Sequence, residues 1–108
     1  MTSQDAIDDF VAHVTATSLD DVPAEAIRAA KTFILDCFGV GLSGGSGPWA
    51  DEMIALSAQW GQGNDARVWG HGQPLPAPAA ALCNAYQIHN AEFDCVHEGA
   101  VVHSMTVL

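Results

Sequence analysis

Positive charge is what this sequence has least of. Arg28, Lys31 and Arg67 stand against thirteen Asp and Glu residues, for a formal net charge of −10. Nucleic-acid binding needs a basic footprint, which three scattered cations do not supply. An anionic membrane surface is disfavoured on the same ground. Long apolar runs are missing too: the longest, Thr32 to Leu42, is interrupted by Asp36 and is too short to cross a bilayer. The opening Met1-Thr2-Ser3-Gln4-Asp5 is polar and acidic, so it lacks the basic start of a signal peptide. Cysteine is sparse. Cys37, Cys83 and Cys95 are odd in number and show no Cys-x-x-Cys pairing, which reads as reduced thiols in a cytoplasmic protein.

Two chemical motifs are also lacking. No His-Glu-x-x-His occurs, and the glycine-rich Ser43-Gly44-Gly45-Ser46-Gly47-Pro48 is followed by no Lys-Ser/Thr. That segment is read as a flexible helix connector rather than a phosphate cradle.

What is present is helical patterning. With 108 residues and 49% hydrophobic side chains, the chain is at most one domain with a moderate core. Ile7, Phe10, Val11 and Val14 recur at i, i+3, i+4 and i+7, with Thr2 or Ser3 placed to cap the helix and Asp5 in its first turn. A second helix is capped by Asp20 or Asp21, with Pro23 in its first turn. It is apolar on most faces through Ile27, Phe33, Ile34, Cys37 and Phe38. Such a helix requires many neighbours, so a lone chain of this length is expected to expose hydrophobic surface, bind apolar dyes and self-associate. Asp36, inside that stretch, reads as a buried, hydrogen-bonded acid rather than a catalytic one. A third helix puts Met53, Leu56 and Trp60 on one face, and a fourth, opened by Pro78, does so with Leu82, Tyr86 and His89. Helices are therefore expected near residues 4–16, 23–42, 48–60 and 77–91, with Ala66 to Gly70 an isolated strand or extended connector. The fold class is mainly α. His13 and His71 read as surface histidines.

Chemistry concentrates near the end. Between Asn84 and His103 lie three of the five histidines, one cysteine and three acidic residues. His89 falls in the last turn of the fourth helix, where the dipole favours a cation. Beyond it, Asp94 and His97 can meet in a helical turn, and His103 returns through a loop. Three readings fit these residue types: a metal site of Asp94, His97 and His103; a Cys95–His nucleophile pair; and a metal-free acid/base site of one carboxylate with one or two imidazoles. Residue types rank the acid/base site first, the metal second and the thiol last.

The sequence resembles the MmgE/PrpD family, which includes 2-methylcitrate dehydratase, cis-aconitate decarboxylase and related epimerases. Ile34-Leu35-Asp36-Cys37-Phe38-Gly39-Val40-Gly41-Leu42-Ser43-Gly44 is similar to the family's Asp-x-x-Gly-x-x-x-x-Gly helix. Pro78 to Ala85 resembles its Ala-Ala-x-x-Asn-Gly helix. His89-x-x-Glu92-Phe93-Asp94-x-x-His97, followed by His103, resembles its His-x-x-Asp-Phe-Asp-Asp-Thr-His and later His-Pro. The resemblance implies the opening part of an all-helical domain, with residues 1–108 incomplete and a lid domain absent. It implies Asp94 and His103 as active-site residues with His97 lining the same pocket, no cofactor and no metal, a small polycarboxylate substrate, and a homodimer when complete. A lyase of the 2-methylcitrate dehydratase type is the expected activity, with decarboxylation or epimerisation as alternatives; an isolated chain of this length is expected to be inactive. Cys95 and Val96 replace the pattern's Asp and Thr, Ser104 its proline and Ala85 its glycine, which bears on the reaction more than on the fold. A polycarboxylate also needs fixed cations, and Arg28, Lys31 and Arg67 all lie far from Asp94 in sequence. The rival from another class is a small acidic helical binding module.

Overall fold

The computed structural model describes residues 5–107. Among the described residues, four α-helices and one short two-stranded sheet make the fold mainly α. The chain divides after Lys31 into two compact units.

In the first unit, α1 runs Ala6–Ala16. Asp5 caps it, its carboxylate accepting from the Ile7 amide while Asp8 reaches back to the Asp5 amide, each at 3.3 Å. Asp5 has extended backbone (φ −74°, ψ 140°), so it precedes the helix instead of lying in its first turn. The expected caps Thr2 and Ser3 lie outside the described residues. No residue of α1 is buried.

A 3-10 turn at Leu19–Asp21 follows, and it changes the expected start of α2. Asp21 does not cap α2. Its carboxylate accepts instead from the Ser18 amide at 2.8 Å and the Ser18 hydroxyl at 2.7 Å, closing its own turn. Pro23 stands just outside α2, where its carbonyl accepts the Ile27 amide at 3.1 Å.

Helix α2 is Ala24–Gly44, two residues longer at its C-terminus than the pattern predicts. The extension follows from packing. Gly41 lies under Trp69 and Ile88, and at Gly44 a Cβ would collide with the Gln87 backbone carbonyl. Only glycine permits that approach. The Gly44–Pro48 connector is accordingly pinned, not flexible: Asn90 Nδ2 donates to the Gly44 and Pro48 carbonyls, both at 3.1 Å, and the Tyr86 hydroxyl donates to Pro48 at 3.0 Å. The flanks of α2 remain open, with Leu35 73% and Leu42 55% exposed. Asp36 is exposed rather than buried, because nothing within the second unit covers that flank.

Helix α3, Ala50–Gln59, starts from Trp49 in the left-handed region (φ 62°). Its inward face is Ala50, Met53, Ile54, Ser57 and Ala58, not the expected Met53–Leu56–Trp60 stripe; Leu56 and Trp60 face outward. Small side chains won because they let α4 come close. Strands β1 (Ala66–Arg67) and β2 (Pro74–Leu75) pair antiparallel, Ala66 opposite Leu75. Gly70 and Gly72, both at positive φ, make the return between them.

Helix α4, Ala77–His89, has Pro78 in its first turn and ends two residues earlier than expected. It buries Ala80, Cys83, Gln87 and Ile88, while Leu82 and His89 of the predicted face are exposed. Val68, Leu75, Ala80 and Cys83 form the core, with Met53 and Ile54 against it. Polar side chains fix the register. Asn84 accepts from the Trp69 amide at 2.9 Å, and Gln87 Nε2 donates to the carbonyls of Trp69 and Gly41 at 3.0 and 3.3 Å. Each satisfies a backbone group that would otherwise be costly to bury. This places the end of α4, and with it His89, rigidly beside the last segment of the chain. Among the described residues no helix is long and apolar enough to cross a membrane.

Candidate active site

The site forms where α4 stops. The Glu92 amide donates to the His89 carbonyl at 2.9 Å, and Glu92 takes a left-handed conformation (φ 53°). That tight turn doubles the chain back and brings Asp94 under His89. A short loop follows, held by a bridge in which the His97 amide donates to the Val102 carbonyl at 2.9 Å. Val101 in this loop has φ 49°, an uncommon state for a β-branched residue. The 3-10 helix Ser104–Val107 then packs on α4, and the Cys37 thiol lies 3.9 Å from the Met105 carbonyl.

At the centre is the Asp94 carboxylate, whose side chain has no solvent exposure. His89 Nδ1 lies 3.1 Å from Oδ1, His103 Nδ1 lies 2.9 Å from Oδ2, and the Thr106 hydroxyl donates to Oδ2 at 2.5 Å. The two imidazoles meet edge-on, with centroids 4.6 Å apart and planes at 73°. Burial pushes the Asp94 carboxyl upward, but the hydrogen bonds from Thr106, His89 and His103 outweigh it. The carboxyl is held below its ordinary 3.8. Burial also raises the Cys37 thiol, with the charges of Cys95, Asp36 and Asp94 adding to it. That is the opposite of what an activated thiol needs.

Of the residues expected from sequence, Asp94 and His103 are brought together. His97 is not part of their cluster. Its Nδ1 accepts the Ala100 amide at 3.3 Å within its own exposed turn. The place beside the pair is taken by His89, and Thr106 completes it. Thr106 stands one helical turn after His103, so a His-x-x-Thr spacing was the available signal; a lone threonine in an apolar tail carries none by itself. Among the described residues, His89, Asp94 and His103 are also the group whose donor atoms lie close enough, within 4.8 Å, to share a cation. The same separations serve as direct hydrogen bonds, and the Thr106 hydroxyl is already on the carboxylate. Arg67, the one Lys or Arg of the second unit, holds the Asn64 side chain at 2.5 Å from β1 and is not part of the cluster.

The profile of the MmgE/PrpD N-terminal domain matches residues 8–108. The chain belongs to the MmgE/PrpD family. A cis-aconitate decarboxylase of Aspergillus terreus (strain NIH 2624 / FGSC A1156) is 30% identical over 116 residues, covering 100% of this chain and 24% of the relative. A second Aspergillus terreus cis-aconitate decarboxylase is 32% identical over 89 residues, 82% of this chain and 18% of the relative. A cis-aconitate decarboxylase-like protein of Aspergillus oryzae is 30% identical over 95 residues, 88% and 20% respectively. The chain therefore spans about a quarter or less of the length of these relatives. No solved structure matches it. Within an MmgE/PrpD protein, the turn after α4 is thus the place where a buried acid and two partly exposed imidazoles converge.

Proposed function

We propose that this chain carries the proton-handling part of a lyase acting on a small polycarboxylate, with decarboxylation of a cis-aconitate-like substrate as the reaction and no metal required. One observation supports it most: a buried carboxylate paired at 2.9 Å with a partly exposed imidazole, Asp94 and His103. An imidazole titrates near neutral pH, so it can release and recover a proton within one turnover. Loss of carbon dioxide breaks a carbon–carbon bond and leaves the electron pair on carbon. An imidazolium at His103 would deliver the proton that quenches it, and solvent would restore that proton. Dehydration of a hydroxy-polycarboxylate would use the same pair in the other sense, taking a proton from carbon while hydroxide departs. The names of the relatives favour decarboxylation over the dehydration expected from sequence.

A polycarboxylate also requires cations, and the cluster contains no Lys or Arg. In this reading they belong to the part of the relatives' length that the chain does not span, and the same reasoning assigns the homodimer to the complete protein. The test is an assay of the longest form of the protein, after exhaustive chelation, with cis-aconitate and with hydroxy-tricarboxylates. Carbon dioxide release is expected, and His103→Ala should lower turnover roughly a hundred- to ten-thousand-fold. Inactivity on every such substrate would sink the lyase reading. Activity lost on chelation and restored by zinc or iron would replace the acid/base site by a metal.

A further inference from the structure

We infer that Asp94 is a positioning residue rather than the proton donor or acceptor: clamped by Thr106 and His89, it fixes His103 as the Nδ1–H tautomer with Nε2 as its working atom. The inference rests on the reading above for its purpose, but its geometry stands by itself. An ionised carboxylate only accepts hydrogen bonds, so each group facing it at bonding distance must donate. His89 Nδ1 faces Oδ1 at 3.1 Å and His103 Nδ1 faces Oδ2 at 2.9 Å. Both rings therefore carry hydrogen on Nδ1, which leaves each Nε2 as the lone-pair nitrogen of the neutral form.

Access divides the roles. The Asp94 side chain is 0% exposed, against 46% for His89 and 35% for His103. A substrate can meet an imidazole here without meeting the carboxylate. The Thr106 hydroxyl, on the same oxygen as His103, further occupies the acid and holds it against rotation. His89 braces the arrangement in two ways. It takes the other carboxylate oxygen, and its ring stands edge-on to that of His103 at 4.6 Å. Thr106 also lines an apolar groove with Trp69, Leu82 and Ile88, on the 3-10 helix that packs against α4.

His97 supplies an internal control. Its Nδ1 faces the Ala100 amide at 3.3 Å, an N–H shared with the His97 carbonyl at 3.2 Å, and this contact favours hydrogen on Nε2, the opposite tautomer.

The experiment is 15N spectroscopy of the full 108-residue chain labelled in its histidines, recorded after chelation at a pH where the rings are neutral. His89 and His103 are expected as Nδ1–H and His97 as Nε2–H. Asp94→Asn offers one acceptor and one donating amide, so one of the two rings should lose its Nδ1–H form while His97 stays unchanged. If that variant does not fold, Thr106→Val serves instead. Both tautomers should persist in it, and in the longest active form kcat should fall with KM little changed and recover in Thr106→Ser. Finding His103 as Nε2–H, or indistinguishable from His97, overturns the inference. So does a Thr106→Val protein with unaltered kcat. The tautomers are read without turnover, so the clamp and the lyase assignment can fail separately.

Discussion

Helices α1 and α4 are close in length, 11 and 13 residues, yet α1 buries none of its residues and α4 buries four. The more regular apolar stripe belongs to α1: Ile7, Phe10, Val11 and Val14 are 57, 68, 53 and 75% exposed. The buried face of α4 is Ala80, Cys83, Gln87 and Ile88, a mixture no hydrophobic pattern would select. What α4 has is small side chains facing small side chains. Ala80 and Cys83 sit in the core with Val68 and Leu75, and the Cys83 thiol reaches the Ser57 hydroxyl at 3.4 Å. Close approach then lets Asn84, Gln87 and Asn90 bond to neighbouring backbone. A periodic stripe marks a face that requires a partner; shape decides whether the partner fits.

The largest expected effect tests that contrast directly. Leu75→Ala, in the core beside α4, should cost about 2–5 kcal/mol in a denaturant melt. Phe10→Ala, in the exposed stripe of α1, should stay within roughly 0.5 kcal/mol. Equal costs would mean that α1 is covered as α4 is. A sharper comparison lies within α2 alone. Gly44→Ala pushes a Cβ into the Gln87 carbonyl and should cost about 1–3 kcal/mol. Gly39→Ala meets nothing within 4 Å and should stabilise by about 0.5–1 kcal/mol through helix propensity. A stabilising Gly44→Ala would show that the α2–α4 contact is looser than described.

The smallest effect is the acid limb of stability. The folded Asp94 carboxyl is held below its ordinary 3.8, so its contribution is full above that value and lost as pH falls through the lower folded one. Melts from pH 6 downward should therefore lose stability faster in the parent than in Asp94→Asn, which has no carboxyl to protonate. Parallel acid limbs would mean that the clamp on Asp94 contributes nothing to folding.

Helix positions were legible from local patterns because capping and periodicity are local properties of the chain. The errors have local causes as well. Asp21 was free to satisfy Ser18 instead of α2, and Leu56 and Trp60 made a convincing stripe that happens to face outward. At the site, Asp94 and His103 were legible as residue types able to move protons, and their likeness to a family motif put them in order. Their distance was not, nor was the substitution of His89 for His97 beside them. That depends on the turn at Glu92, whose left-handed backbone no composition signal announces.

By itself, then, the sequence determined the helical class, the absence of a basic face and the concentration of imidazoles and carboxylates near the chain's end. Periodicity, charge and residue chemistry are all properties of neighbours along the chain. The tertiary structure alone decided which imidazoles meet Asp94 and which nitrogen each presents. Those facts depend on α4 being held by Gly44, Gly41 and Trp69, and on the 3-10 helix returning Thr106 to within 2.5 Å of the carboxylate. A hydrogen bond is set by fractions of an ångström, and only a packed core fixes such distances.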